Sequence, residues 1–171
     1  GLSAQPATRR RAHALTIARH PSETDMRMML RVVAFALYAD EALEFTRGLS
    51  SEDEPDIWRK NLRDEAELWI DLGQPDEKRL KKACNRSRQV MVLAYGGRTA
   101  EIWWQQTAGK VAGQKNLRVL ALSVEESKAL AGLAERGMRL QCTIQDGLVW
   151  LGGDGGHVEL APKVLFDSDS A

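Results

Sequence analysis

The run Val90-Met91-Val92-Leu93-Ala94-Tyr95 is apolar on both of the faces that an extended chain presents. Such a strand has no wet side, so it must lie inside a sheet that is covered above and below. Its neighbours narrow the choice further. Before it, Leu80, Ala83, Cys84 and Ser87 recur at helical spacing, while Lys78, Arg79, Lys81, Lys82 and Arg86 occupy the other sides. After it, Gly96-Gly97 breaks the run. An amphipathic helix feeding a buried strand implies a crossover and hence an α/β fold, a mixed β-sheet flanked by helices.

The rest of the chain fits around that unit. Residues 1–12 lack periodicity, and Ala14–Ile17 reads as a strand end. Ser22 is a good N-cap with a carboxylate, Asp25, three residues later, as in a capping box. Met26, Met29, Leu30, Val33 and Leu37 then share one helical face, and Val32, Phe35 and Ala36 make the other side apolar, so this helix is expected to be deeply packed. Leu43 and Phe45 read as a strand, residues 50–55 as an acidic turn, and Ile57-Trp58 as extended chain. Residues 67–72 alternate, with Leu68, Ile70 and Leu72 on one side and Glu67, Trp69 and Asp71 on the other, which predicts a half-buried strand. Pro75-Asp76-Glu77 suits a first helical turn. Thr99 can cap a helix through Trp103 and Trp104; residues 117–122 form a strand, and Ser123-x-x-Glu126 opens a helix ending near Gly137. Alternation over 138–144, an Asp146-Gly147 turn, Leu148–Leu151 and His157–Leu160 make a C-terminal meander. One domain is expected over 13–165, with an irregular segment at 1–12 and a tail at 166–171.

Charge excludes some functions and leaves others. The chain has 24 basic and 24 acidic side chains, so no global field draws it to a polyanion, and any such partner must meet a local basic patch. Cys84 and Cys142 form no CxxC pair, and His13, His20 and His157 complete no zinc spacing. Two reduced thiols in a cytoplasmic protein are the expectation. No apolar stretch is long enough to span a membrane, and the run after Arg9-Arg10-Arg11 is too polar for a signal sequence. The P-loop, GxGxxG, HExxH and GxSxG patterns are absent. Gly96-Gly97-Arg98 can admit a phosphate, although a Gly-Gly strand end is the commoner meaning.

The informative constellation lies between residues 54 and 82. Glu54-Pro55-Asp56 sits at a turn, Asp71 stands on a strand fifteen residues after Asp56, and a basic helix follows. Two converging carboxylates suit a hard divalent cation such as Mg²⁺. Without one they repel, and electrostatic strain is expected between Asp56 and Asp71.

The blocks LTIARHPSETD (15–25), LEFTRGLSSEDEPDIW (43–58), ELWIDLGQPDEKRLKKAC (67–84) and MRLQCTIQDGLVWL (138–151) resemble the YaeQ family of bacterial proteins. The resemblance implies a variant of the restriction-endonuclease-like, PD-(D/E)xK fold, whose core runs helix, three strands, helix, strand. It makes Pro55-Asp56 similar to the PD pair, Asp71 to the second acid, and Glu23 to an extra acid on the first helix. Gly73 stands where the superfamily places its lysine, and Gln74 lies beside it. Arg79 or Lys82 then becomes the candidate to return a cation from the next helix. The stretch GLSAQPATRRRA stands where the family usually carries a strand and a basic, tyrosine-rich segment.

Two functions follow as expectations. The first is a Mg²⁺-dependent nuclease, with Mn²⁺ as a substitute. Asp56, Asp71 and Glu23 would hold the metal, and Gln74 with Lys82 or Arg79 would position water and phosphate. Lys78, Arg79, Lys82 and Arg86 would contact DNA or RNA backbone. The second is a catalytically inactive nucleic-acid- or protein-binding module on the same fold, which the missing lysine favours. Trp103 and Trp104 would then stack on bases, although adjacent tryptophans on a helix more often belong to the core.

Overall fold

Parallel strands joined by helices occupy the middle of the chain, as the buried run at 90–95 requires, and antiparallel strands occupy its two ends. The computed structural model describes residues 11–16, 25–37, 43–45, 55–133, 139–153 and 156–168. In order the elements are β1 (Arg11–Thr16), α1 (Asp25–Leu37), β2 (Leu43–Phe45), β3 (Ile57–Lys60), β4 (Ala66–Leu72), α2 (Glu77–Arg86) and β5 (Ser87–Ala94). They continue with α3 (Arg98–Val111), β6 (Leu117–Ala121), α4 (Val124–Leu133), β7 (Arg139–Gln145), β8 (Leu148–Gly153), β9 (Gly156–Leu160) and β10 (Lys163–Asp167). These fall into two compact units, residues 1–38 with 125–162, and residues 39–124 with 163–171.

The second unit holds a mixed six-stranded sheet in the order β10-β6-β5-β4-β3-β2. β2, β3 and β4 form an antiparallel meander, β4, β5 and β6 run parallel, and β10 returns antiparallel to β6. On one face Trp69 packs with Leu80, Ala83 and Cys84 of α2, Val90 and Val92 of β5, Val111 of α3, and Leu117 and Val119 of β6. β4 is therefore not half-buried: Leu68, Trp69, Ile70, Asp71 and Leu72 are all enclosed. The alternation misleads because the polar positions flank a tryptophan that α2 covers, and because the charge of Asp71 is matched inside. β10 also departs from the expected tail. It runs through Asp167, and its Leu165 and Phe166 pack against the same core.

The two helices on this face begin differently. Asp76 caps α2, its side chain accepting the Arg79 N–H at 2.8 Å, and the Ser87 N–H closes the other end on the Ala83 carbonyl. α3 starts at Arg98, and its N-cap is Gly97 at φ 59°, not Thr99, with no side-chain cap bond. The Thr99 N–H instead donates to the Gly96 carbonyl at 3.3 Å.

The first unit contains a four-stranded antiparallel sheet in the order β1-β7-β8-β9. Asp146 and Gly147, at φ 54° and 80°, make the tight turn between β7 and β8, the doubly positive geometry that an Asp-Gly pair favours. Cys142, Val149, Leu151 and Leu160 are buried. β1 begins at Arg11, earlier than the strand end expected at 14–17, and pairs along its length with β7. α1 is buried at Met28, Met29, Leu30, Val32, Val33 and Ala34, as its apolar content on both sides predicts. Ser22 lies outside the described residues. Among the described residues, no helix is long and apolar enough to cross a membrane.

Candidate functional site

Ile57 of β3 stands opposite Ile70 of β4, and Asp56 extends the chain by one residue beyond that paired stretch. Two bonds hold the extension. The Asp56 N–H donates to the Ile70 carbonyl at 3.0 Å, and the Asp56 Oδ2 accepts the Leu72 N–H at 2.9 Å. Asp56 is thereby held at the end of β4 that carries Asp71, and both carboxylates act on Arg79 of α2. They are also enclosed, with Asp56 8% and Asp71 2% exposed. Burial of two like charges is costly without a partner.

The partner is Arg79. Its Nε donates to Asp71 Oδ2 at 2.8 Å and its Nη2 to Asp71 Oδ1 at 3.0 Å, a two-pronged charge-assisted contact. The bare repulsion expected between Asp56 and Asp71 is thus corrected: a guanidinium from α2 already neutralises one of them. The Arg79 pKa is raised, chiefly by the hydrogen bond to Asp71; burial works in the opposite sense, and the charges of Asp71, Asp56 and Asp76 add to the rise. Asp76 does double duty, since its cap bond fixes the backbone from which Arg79 reaches inward. The guanidinium carbon also lies 5.7 Å from the Trp69 ring centroid.

Gly73 and Gln74, also singled out in the sequence, mark the exit of β4. Gly73 has φ 102°, a conformation costly for a side-chain-bearing residue, and its N–H donates to the Leu93 carbonyl at 2.9 Å. Position 73 is where β4 ends, which explains why a strand lysine does not fit there. Gln74 is exposed, and its Nε2 donates to the Tyr95 carbonyl at 2.9 Å, tying the exit of β4 to that of β5. Gly96, at φ 110°, makes room for it, since a Cβ there would lie 2.8 Å from the same Nε2. Lys78 and Arg86 are exposed and Lys82 is half-buried on α2. Lys81 pairs with Glu77 at 3.1 Å. Glu23 and Glu54 lie outside the described residues. Trp103 and Trp104 pack on the core; the Trp103 Nε1 donates to the Pro75 carbonyl at 2.6 Å, and Trp104 stands 6.1 Å from Phe166.

Two features escaped the sequence reading. Asp76 was legible only as a first-turn residue, although Asp-x-x-Arg is the spacing at which a cap orients an arginine. The second is a mirrored pattern, Asp56-x-Trp58 and Trp69-x-Asp71, which antiparallel pairing turns into Trp opposite Trp, with an aspartate two residues away on each chain segment. The thiols take no part in such chemistry: both are buried, and burial pushes Cys84 and Cys142 up to about 11.

The donor set fits a hard cation in kind, because two carboxylates gather near Arg79 at the exit of β4, and Mg²⁺ is commonly bound through only one or two carboxylates with waters and substrate phosphate. Among the described residues no group of three or more His, Cys, Asp or Glu is assembled. Occupation would also require Arg79 to leave Asp71.

The YaeQ protein family model matches residues 7–162. The uncharacterized protein YaeQ of Salmonella typhi is 52% identical over 147 residues, covering 86% of this chain and 81% of its own length. Its counterpart in Escherichia coli (strain K12) is 49% identical over the same span. The crystal structure of YaeQ protein from Xanthomonas axonopodis pv. citri superposes with a TM-score of 0.84 at 53% identity, covering 90% of this chain and 86% of that one. That of YaeQ protein from Pseudomonas syringae gives 0.82 at 31% identity, covering 96% and 98%. On sequence and on structure alike, this chain belongs to the YaeQ family.

Proposed function

We propose that this chain is a metal-dependent phosphodiesterase acting on nucleic acid, built on a restriction-endonuclease-like core. The order α1, β2, β3, β4, α2, β5 supports that core, with a three-strand meander followed by a helical crossover to a parallel strand. The observation that carries the reading is the pair of enclosed carboxylates, Asp56 and Asp71, gathered at the exit of β4 beside Arg79 of α2. Asp56 and Asp71 would hold Mg²⁺ or Mn²⁺. A bound divalent ion makes water a better nucleophile and neutralises charge on the phosphoryl group. Arg79 contributes what Gly73 cannot. Its two-pronged grip on a carboxylate matches two phosphate oxygens equally well, so on release from Asp71 it binds the scissile phosphate. Lys78, Lys82 and Arg86 supply contacts to flanking phosphates, and Gln74 lines the exit of β4.

A Mg²⁺ titration followed by thermal melting tests the site without a substrate. At ten times Kd the ion stabilises the fold by about 1.4 kcal/mol, a rise of roughly 3–6 °C for a chain of this size. Asp71→Asn abolishes that rise. In cleavage assays with DNA and RNA, chelator stops the reaction and Asp71→Asn lowers the rate by at least ~100-fold. No Mg²⁺ shift and no cleavage sink the catalytic reading.

A second reading rests on the closed contact between Asp71 and Arg79 together with Gly73. If Arg79 stays on Asp71, the cluster is a structural ion pair and the chain is a nucleic-acid-binding module without chemistry. Binding would then be indifferent to Mg²⁺. Lys82→Ala would lower the salt dependence of affinity by about one phosphate contact.

A further inference from the structure

We infer that Trp58 is a stacking platform for an unpaired nucleotide, which makes single-stranded nucleic acid the ligand of this site; the inference deepens the proposed function and rests on the same carboxylate pair. Trp58 lies opposite Trp69 in the β3–β4 register, and their rings meet edge to face, 6.5 Å between centroids at 74°. The two tryptophans are not equivalent. Trp69 is buried under α2, whereas Trp58 remains half-buried and outside that cluster. The Lys60 ammonium lies 3.8 Å from the centroid of the Trp58 ring. That ammonium, which also pairs with Asp64 at 3.3 Å, covers the ring more loosely than a packed apolar side chain would, and an arriving base displaces it to stack on the same face.

Position then selects the ligand. Trp58 and Lys60 alternate along β3, and Asp56 lies two residues before Trp58, so the chain keeps the two within about 7 Å, on the order of one nucleotide step. A base stacked on Trp58 therefore brings its own phosphodiester to the carboxylates, with Arg79 on one side and Lys60 on the other. Duplex cannot use such a platform, because its bases are stacked on each other and show only their edges in the grooves. Presenting one base would require flipping it out, at a cost that a single strand does not bear.

The test is fluorescence anisotropy in EDTA, so that no turnover occurs, with labelled oligo-dT and oligo-rU of about a dozen nucleotides and a hairpin duplex of similar length. Both single strands are expected to bind at least ~10-fold more tightly than the duplex, and Trp58→Leu to weaken them by about tenfold or more. Trp58→Phe keeps a π face and should stay within about threefold of wild type. It also removes the quenching of tryptophan emission that oligo-dT causes, which keeps the test decisive if the leucine variant fails to fold. Equal affinity for duplex, full affinity in Trp58→Leu, or unchanged quenching in Trp58→Phe overturns the inference. Trp58-dependent binding without any Mg²⁺-dependent cleavage leaves it standing and ends the catalytic reading. Cleavage that ignores Trp58 does the reverse.

Discussion

α2 and α3 cover the same face of the same sheet, and each looks functional from its side chains. α2 carries a run of cations and α3 carries two adjacent tryptophans. Only the first reaches the candidate site. α2 begins at a carboxylate cap, Asp76, which fixes Arg79 so that its guanidinium meets Asp71. α3 begins at a glycine with no side-chain cap, and its tryptophans go into the core and against the Pro75 carbonyl. The aromatic residues beside the carboxylates are Trp58 and Trp69, on the strands. Residue type alone therefore does not identify function here; what matters is the backbone position from which a side chain departs.

That contrast can be broken by substitution. The largest expected effect is at the ion pair. Arg79→Ala leaves the enclosed Asp71 carboxylate without its two-pronged partner and should cost about 3–5 kcal/mol in urea unfolding. Arg79→Lys restores only part of this, because an ammonium cannot grip both oxygens in the same plane. A cost below about 1 kcal/mol would mean that the contact behaves as a surface pair.

The helix starts come next. Gly97→Ala places a side chain on a residue at φ 59° and drives its Cβ into Val124, so a loss of about 2 kcal/mol is expected. Asp76→Ala removes only a cap and should cost about 1 kcal/mol, but it also loosens Arg79. If the cap helps to aim the guanidinium, a double-mutant cycle between Asp76→Ala and Arg79→Ala gives a coupling above about 0.5 kcal/mol. Strict additivity would separate the cap from the site.

The smallest effect is in the pH profile. Cys84 and Cys142 ionise near 9.0 when exposed and near about 11 when folded. Between those values the unfolded chain loses protons that the folded chain keeps, so stability falls as pH rises from about 9 towards 11. Cys84→Ala should flatten the urea-midpoint curve in that window. An unchanged slope would mean that the α2 thiol is open to solvent.

Much of the fold was legible because apolar patterning reports burial directly. The two-sided run at 90–95, the buried helix after residue 25 and the Asp-Gly turn all correspond to observed elements. β4 was misread because alternation takes Asp71 as a solvent marker, and nothing local to a strand shows that a guanidinium eight residues away will neutralise it. The N-cap at residue 97 was misplaced because side-chain preference favours Thr99, whereas the chain uses backbone freedom at glycine. Asp56 and Asp71 were legible as candidates from the family blocks, and both are enclosed. The grip of Arg79 on Asp71 was not, because only geometry reveals which helical position projects back to the end of β4.

Asp56, Trp58, Trp69, Asp71, Asp76 and Arg79 all come from one uninterrupted stretch, the β3–β4 hairpin and the turn into α2. Unlike centres stitched together from distant parts of a polypeptide, this one is inherited as a block. A chain cut at the Asp146-Gly147 turn would still carry every member of the cluster in its original order. So would a chimera that exchanged residues 55–94 between relatives.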